Sequence, residues 1–434
     1  MEKVYSAFSC DVIHQGVINV INRASELGEL TVGLLSDEAI ATYKKVPLLN
    51  FDARKVVFAN LKGVSDVIRQ DTLSYKDNLY KIKPKYVVHG DDWKVGVQSK
   101  IRQEVIEILS EWGGELVEVP YTEGVSSSLL ANEAKERYVS PDDRRGQLRR
   151  MLELKPIVRV MEASNGLSGL IVENCSVENS NTGTRKEFDA MWVSSLCDSS
   201  FKGKPDIELV DFTSRIETIN QIMDVTTKPI ILDGDTGGKI EHFVYNVKTL
   251  ERLGVSAIII EDKTGLKQNS LFGAEVEQVQ DDPHEFARKI RAGKQAQRTS
   301  EFMIIARIES LIAEKGEEDA LMRARIYLDE GGADGIVIHS RKKDGAEIVS
   351  FLNKFRAEYP DVPVVLIPTS FNHFTEEELA EMGANIVIYA NHLLRSAYPA
   401  MRSTAEAILK AGRSKEVDDV CMPIKEVISF IPKD

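Results

Sequence analysis

Three carboxylates stand in two short runs, Asp233 and Asp235 in ILDGDTGG and Glu261 in IIIEDKTG, each at or just past the end of an apolar stretch. Carboxylates on neighbouring strand ends lie roughly 5 Å apart and repel one another unless a cation comes between them. The donors are oxygens with no His or Cys beside them, which favours Mg2+ over zinc. Mg2+ takes only one or two protein oxygens directly and keeps several waters. The expectation is one direct carboxylate, with the others acting through water. Taken alone, DGDTGG also reads as an Asp-rich turn. Arg307 follows MIIA, so its guanidinium emerges from a buried strand and suits a carboxylate or phosphate. After Glu261 comes DKTGLKQNSLFG, a polar glycine-containing loop with Lys263, Lys267 and Asn269, placed to close over a phosphorylated ligand and exclude water. A solvated loop has the same composition.

Eight apolar runs are available to position these groups: 157–162, 190–195, 229–233, 257–261, 303–307, 335–339, 363–368 and 385–390, with helical stretches between them. Glu162, Ser194, Asp233, Glu261, Arg307 and His339 lie at or near the C-terminal ends of six of these runs. This pattern predicts a (β/α)8 barrel, whose strand ends converge on one catalytic face. A doubly wound sheet with capping residues after each strand is the alternative. Up to about residue 120 the chain alternates VYSAFSC, LTVGLLS, KYVVHG and ELVEVP with helices from His14 to Leu27, around Arg54 and near Ile101 to Trp112. That rhythm predicts a smaller parallel α/β domain. The polar segment from Asn132 to Arg149 separates the two, and the boundary is placed near Tyr138, giving domains 1–137 and 138–434. The stretch VENCSVENSNTGTRKEFD is longer and more polar than a tight helix-to-strand connection and predicts a surface insertion.

The whole chain carries 55 Lys and Arg against 68 Asp and Glu, a formal charge of −13, which repels phosphate backbones and anionic lipid. Nucleic acid and membrane are therefore not expected partners. No apolar run approaches the roughly 18 residues of a membrane helix, and the N-terminus lacks a secretory pattern. Cys10, Cys175, Cys197 and Cys421 are widely spaced without a CxxC pair, so a zinc site or disulfide framework is not expected and a cytoplasmic location is.

MEASNGLSGLIVEN, MWVSSL, LDGDTG, IEDKTGLKQNS, IARIES, IHSRK, IPTSF and YANHLLRSA, in this order from about Gln147 to the C-terminus, resemble the phosphoenolpyruvate mutase family of the isocitrate lyase superfamily. The lyases of that superfamily carry a catalytic cysteine in the loop that here reads KTGLKQNS, which argues against an isocitrate or methylisocitrate lyase. The resemblance implies a Mg2+ enzyme that interconverts phosphoenolpyruvate and phosphonopyruvate in phosphonate biosynthesis. It implies that Asp233 binds the metal directly and that Asp235 and Glu261 hold its waters. Trp192, Ser194 and Leu196 match the family's substrate-binding run. Arg307 and His339 match its phosphoryl and pyruvyl contacts, Asp206 in GKPD an essential carboxylate, and Lys267 and Asn269 its closing loop. A phosphonopyruvate hydrolase, yielding pyruvate and phosphate, is the alternative. A homo-oligomer, dimer or tetramer, packed through the last helices is also implied.

The N-terminal stretches FSCDVIHQG, HGDDW and YTEGVSSS resemble nucleotidylyltransferases of the glycerol-3-phosphate cytidylyltransferase type, from about Met1 to Leu130. The resemblance implies a Rossmann-like fold and a nucleotide such as CTP near His14, Asp91 and Trp93, with Lys44 or Lys45 and Arg54 also retained. Three positions depart from it: Val17 replaces the second histidine, Phe8 the first glycine, and Tyr121 the arginine before TEG. These changes remove a charge-stabilising donor, a close backbone approach and a phosphate clamp, so the expectation is a degenerate domain used for nucleotide sensing, assembly or stability, where a nucleotide could still bind without reacting. A bifunctional enzyme with an active CTP:phosphonate cytidylyltransferase is the alternative.

Overall fold

The computed structural model describes residues 1–9, 12–43, 46–47, 49–94, 98–120, 139–178, 185–264 and 279–430. The first domain is a five-stranded parallel sheet in the order β3-β2-β1-β4-β5, built from β1 (Lys3–Phe8), β2 (Glu29–Leu35), β3 (Val64–Gln70), β4 (Tyr86–Gly90) and β5 (Glu115–Val119). The helix Gln15–Leu27 lays Val17, Val20, Ile21 and Ala24 on the sheet, the i, i+3, i+4, i+7 stripe of an amphipathic helix. Sequence reasoning missed β3, because this edge strand buries only Val67 and Gln70 and exposes Ser65, Asp66 and Arg69.

The second domain is a closed parallel barrel. Its strands are β6 (Val158–Glu162), β9 (Ala190–Val193), β10 (Ile230–Asp233), β11 (Ala257–Glu261), β12 (Met303–Ile308), β13 (Gly335–Ile338), β14 (Val364–Leu366) and β15 (Ile386–Tyr389). All eight expected strands are present, and β15 closes the ring against β6. The insertion after the helix Gly166–Asn174 is an exposed antiparallel hairpin, β7 (Ser176–Glu178) and β8 (Arg185–Glu187).

Strand alternation decides which side chains face inward. Trp192, Ile231, Ile259, Ile305 and Val337 belong to one apolar cluster filling the barrel interior, while Leu232, Ile260, Ile304 and Ile338 belong to the layer under the helices. Side chains on a strand repeat every second residue. The positions two beyond the interior set are Ser194, Asp233, Glu261, Arg307 and His339, so these five share the inner face at the C-terminal mouth.

The opposite mouth is plugged by the helix Pro141–Leu154, whose Leu148 is fully buried beside Met151 and Leu152 against the interior cluster. Half of the polar segment at the domain boundary is therefore part of the barrel. Its arginines are buried because backbone carbonyls receive them: Arg144 bonds the Thr226 carbonyl and Arg145 the Glu251 carbonyl at 2.9 Å. The same helix meets the first domain, where Arg150 reaches Asp37 at 3.2 Å while buried Arg54 takes the other oxygen of Asp37 at 2.6 Å. Tyr138 itself lies outside the described residues. Among the described residues no helix is long and apolar enough to cross a membrane.

Candidate active site

The turn after β10 is shaped by close approach. A Cβ on Gly234 would lie 2.9 Å from the Ile259 carbonyl, a contact only glycine avoids, and the Gly234 amide uses that carbonyl at 2.7 Å. Asp235 follows in the left-handed region at φ 51°, which a non-glycine residue holds only when its surroundings enforce it. Here the Glu261 amide bonds the Asp235 carbonyl at 2.8 Å, and the Arg215 guanidinium bonds its side chain at 2.8 Å. Asp233 accepts from the Ser195 hydroxyl at 2.9 Å, the Ser195 amide at 3.2 Å and the Asp235 amide at 3.3 Å, all neutral donors.

The neighbouring strand end is more strongly charged. Arg307 lies 3.7 Å from Glu261 and 2.5 Å from Glu309, and Lys263 lies 3.1 Å from Glu309 and 3.8 Å from Glu261. Burial opposes the Arg307 charge, but Glu309, Glu261 and Asp233 outweigh it and hold the guanidinium firmly protonated. Burial, reinforced by Arg307, pushes His339 down to about 4, so its imidazole is neutral at physiological pH. Among the described residues its Nδ1, which is buried, has no hydrogen-bond partner. Lys263, the first lysine of the loop expected to close over a phosphorylated ligand, is buried between Glu309 and Glu261. Asp262 faces away from the carboxylates. Burial raises it to about 6, and Tyr327 at 2.6 Å, Arg323 at 3.3 Å and the Glu309 amide at 2.9 Å surround it. Lys267 and Asn269 lie outside the described residues, but the flanks of their segment meet beside the site, where the Thr264 amide bonds the Val279 carbonyl at 3.0 Å.

Ser194 caps the helix Ser195–Phe201, accepting the Cys197 amide at 3.4 Å, and Leu196, in its first turn, is half-buried. Trp192 is 2% exposed in the interior core below. Asp206 is half-buried, and two residues on Glu208 bonds the Thr236 hydroxyl at 2.9 Å, which draws the GKPD segment against the DGDTGG turn.

These groups suit a hard cation. The donors are buried carboxylates: Asp233 accepts hydrogen bonds from neutral groups and lies in the field of Arg307, and Asp235 and Glu261 face cations. No three His, Cys, Asp or Glu side chains converge tightly enough to hold an ion on their own among the described residues.

Residues 148–409 match the phosphoenolpyruvate phosphomutase family. The chain belongs to that family. A phosphoenolpyruvate phosphomutase of Tetrahymena pyriformis is 34% identical over 307 residues, 70% of this chain and 97% of its own. The crystal structure of the phosphomutase from Streptomyces platensis subsp. rosaceus superposes with a TM-score of 0.59 at 33% identity, over 65% of this chain and 93% of that one. A phosphonopyruvate hydrolase in complex with oxalate and Mg2+ gives 0.57 at 33% identity, over 66% and 94%. Residues 9–133 match a cytidylyltransferase-like family.

Within this phosphomutase-family barrel, sequence reasoning overlooked Arg215, Ser195 and Glu309. Arg215 gave no signal, being one charged residue in the helix Phe212–Met223, although its buried guanidinium also bonds the Val193 carbonyl at 3.2 Å. Glu309 was detectable, because it stands two residues beyond Arg307 on the same alternation.

The cytidylyltransferase-like domain looks different at its corresponding positions. His14 and Asp91 follow the adjacent strands β1 and β4, where the strand order turns and such sheets bind ligands. His14 caps its helix, Nδ1 accepting the Gly16 amide at 3.1 Å. Trp93 is 1% exposed, stacked on His89 at 3.9 Å and bonded to Glu118 at 2.9 Å, so its ring is already committed. Val17 and Phe8 pack into the apolar core. Lys44, Lys45 and Tyr121 lie outside the described residues.

Proposed function

We propose that the chain is a Mg2+-dependent phosphoenolpyruvate mutase, breaking the P–O bond of phosphoenolpyruvate and forming the P–C bond of phosphonopyruvate with no net uptake of water. The observation that carries this reading is the shared inner face of Ser194, Asp233, Glu261, Arg307 and His339 in a barrel of this family. Asp233 would hold the metal, with Asp235 and Glu261 acting on its waters. When bound, Mg2+ supplies positive charge to the pyruvyl oxygens and the phosphoryl group.

The chain's own groups do the rest. A loose, metaphosphate-like transfer needs fixed charge and dryness more than covalent help. Arg307, locked by Glu309 and Glu261, supplies a permanent fork for the phosphoryl oxygens. Neutral His339 donates a hydrogen bond without adding charge. The Ser194 hydroxyl holds the pyruvyl carboxylate. Trp192 and the interior isoleucines form a dry floor that keeps water from below. By the family resemblance, Asp206 would act on the pyruvyl group, and Lys267 and Asn269 would serve the phosphoryl group. Phosphorus NMR on protein with Mg2+ and phosphonopyruvate tests this: a phosphoenolpyruvate signal is expected, and inorganic phosphate with pyruvate would instead establish the hydrolase, a relative matched at the same 33% identity.

We further infer a homo-oligomer. The helix His392–Ala411 buries none of its residues and exposes Tyr398, Met401, Ile408 and Leu409, and the helix Ile424–Ser429 is equally exposed. A second copy covering this apolar face accounts for it. The N-terminal domain is read as binding a nucleotide such as CTP without transferring it. The free thiols of Cys175, Cys197 and Cys421 support a reducing, cytoplasmic location.

A further inference from the structure

At the foot of the barrel the structure forms a half-open cavity of about 270 Å3. Its walls include Lys155, Asp189 and Lys228, which precede β6, β9 and β10, so it lies on the face opposite the strand-end carboxylates. Three pieces of chain with no part in the proposed chemistry meet there. The plugging helix brings Gln147 and Met151, the inserted hairpin leads into Phe188, and the first domain brings Val46 and Pro47. The insertion thus has a structural consequence: it helps wall a space between two domains.

The charges around this space are already matched. Lys155 pairs with Asp189 at 2.5 Å, Arg150 with Asp37 at 3.2 Å and Lys228 with Glu187 at 3.8 Å. Glu173 accepts from the Thr227 amide at 3.1 Å, the Thr227 hydroxyl at 2.8 Å and the Lys228 amide at 3.2 Å. A charged ligand would enter such a wall uncompensated. Among the described residues the Gln147 Nε2 is buried and donates to nothing. An unmade hydrogen bond of this kind is costly, and a ligand acceptor would relieve it. Phe188, Met151, Val46 and Pro47 offer flat and aliphatic faces on which a ring packs. Small-molecule sites commonly run from about 300 to 1,000 Å3. This one therefore takes a compact molecule and lacks both the room and the charge for a triphosphate.

We propose that this junction cavity binds a small, uncharged, largely planar molecule carrying a carbonyl or ring-nitrogen acceptor, of nucleobase or nucleoside size, and that its occupant ties the two domains together. The site is separate from His14 and Asp91 and does not depend on the mutase reading.

Saturation-transfer NMR and calorimetry on the full chain test it, with cytosine, uracil, adenine, cytidine and uridine as neutral probes and orthophosphate and oxalate as charged controls. At least one neutral probe binds. Val46→Trp, which fills the space from the N-terminal side, removes that binding, and Gln147→Leu weakens it about tenfold. Phosphorus NMR shows unchanged phosphonopyruvate turnover in both variants, whichever product forms. The proposal is overturned if no neutral probe binds, if binding survives both substitutions, or if only the charged controls are lost in Val46→Trp. Should Val46→Trp fail to fold, the Gln147→Leu titration decides alone.

Discussion

His339 offers a sharp test of the site's electrostatics. It is 4% exposed, its Nδ1 has no hydrogen-bond partner among the described residues, and burial together with Arg307 lowers its pKa from 6.5 to about 4. A histidine whose folded pKa is depressed binds fewer protons folded than unfolded between those values. Its contribution to stability is therefore undiminished above pH 6.5 and is lost as the pH falls toward 4, a change of about 3 kcal/mol once both states have titrated. Asp262 works in the opposite sense. Burial raises it from 3.8 to about 6, so the folded state gains from its protonation as the pH falls through the same range. The two slopes nearly cancel in the wild type between pH 6 and pH 4. In His339→Gln the imidazole's slope is gone while that of Asp262 and the other carboxylates remains, so the variant should gain about 2 to 3 kcal/mol on the wild type between pH 7 and pH 4. Urea denaturation of both proteins across that range measures the difference. Histidine ring NMR should in parallel show a resonance titrating near 4, absent from the variant. If the two stability profiles run parallel, or the resonance lost in the variant titrates near 6.5, the imidazole is solvated and the picture of a neutral donor beside Arg307 is wrong.

Other expectations follow from the same geometry. Asp233→Asn and Asp206→Asn should each lower turnover at least about 100-fold by phosphorus NMR, and near-normal rates in either would remove that residue from the site. Arg215→Leu leaves Asp235 buried without its counter-charge and should cost about 3 kcal/mol in chemical denaturation; unchanged stability would mean that the pair contributes nothing. Ile408→Glu combined with Leu409→Glu should reduce the particle mass in light scattering, and an unaltered mass would place the subunit contact elsewhere. CTP with phosphoryl or phosphonyl acceptors should release almost no pyrophosphate, since Val17 and Phe8 occupy core positions. Rapid release would show the first domain to be active.

Much of the architecture was legible because it rests on local patterns. Eight β-branched runs spaced by helices specify the barrel, and the polar residues ending them mark its catalytic mouth, since alternation along a strand is fixed by backbone geometry. The hairpin was visible as excess length and the altered first domain as three substituted positions. β3 escaped because an edge strand buries too little to show a pattern. The charged helix Pro141–Leu154 gave no hint that it plugs the barrel, because its arginines are paid for by carbonyls distant in sequence.

What the chain by itself determined is which residues reach the mouth: Asp233, Asp235, Glu261, Arg307 and His339 are placed there by strand ends and period. Only the tertiary structure decided how their charges are shared. Arg215 comes from a separate helix to hold Asp235, Glu309 pulls Lys263 out of solvent, and burial keeps His339 neutral. Pairing and desolvation depend on distances between segments remote along the chain, and residue type and spacing carry no record of those distances.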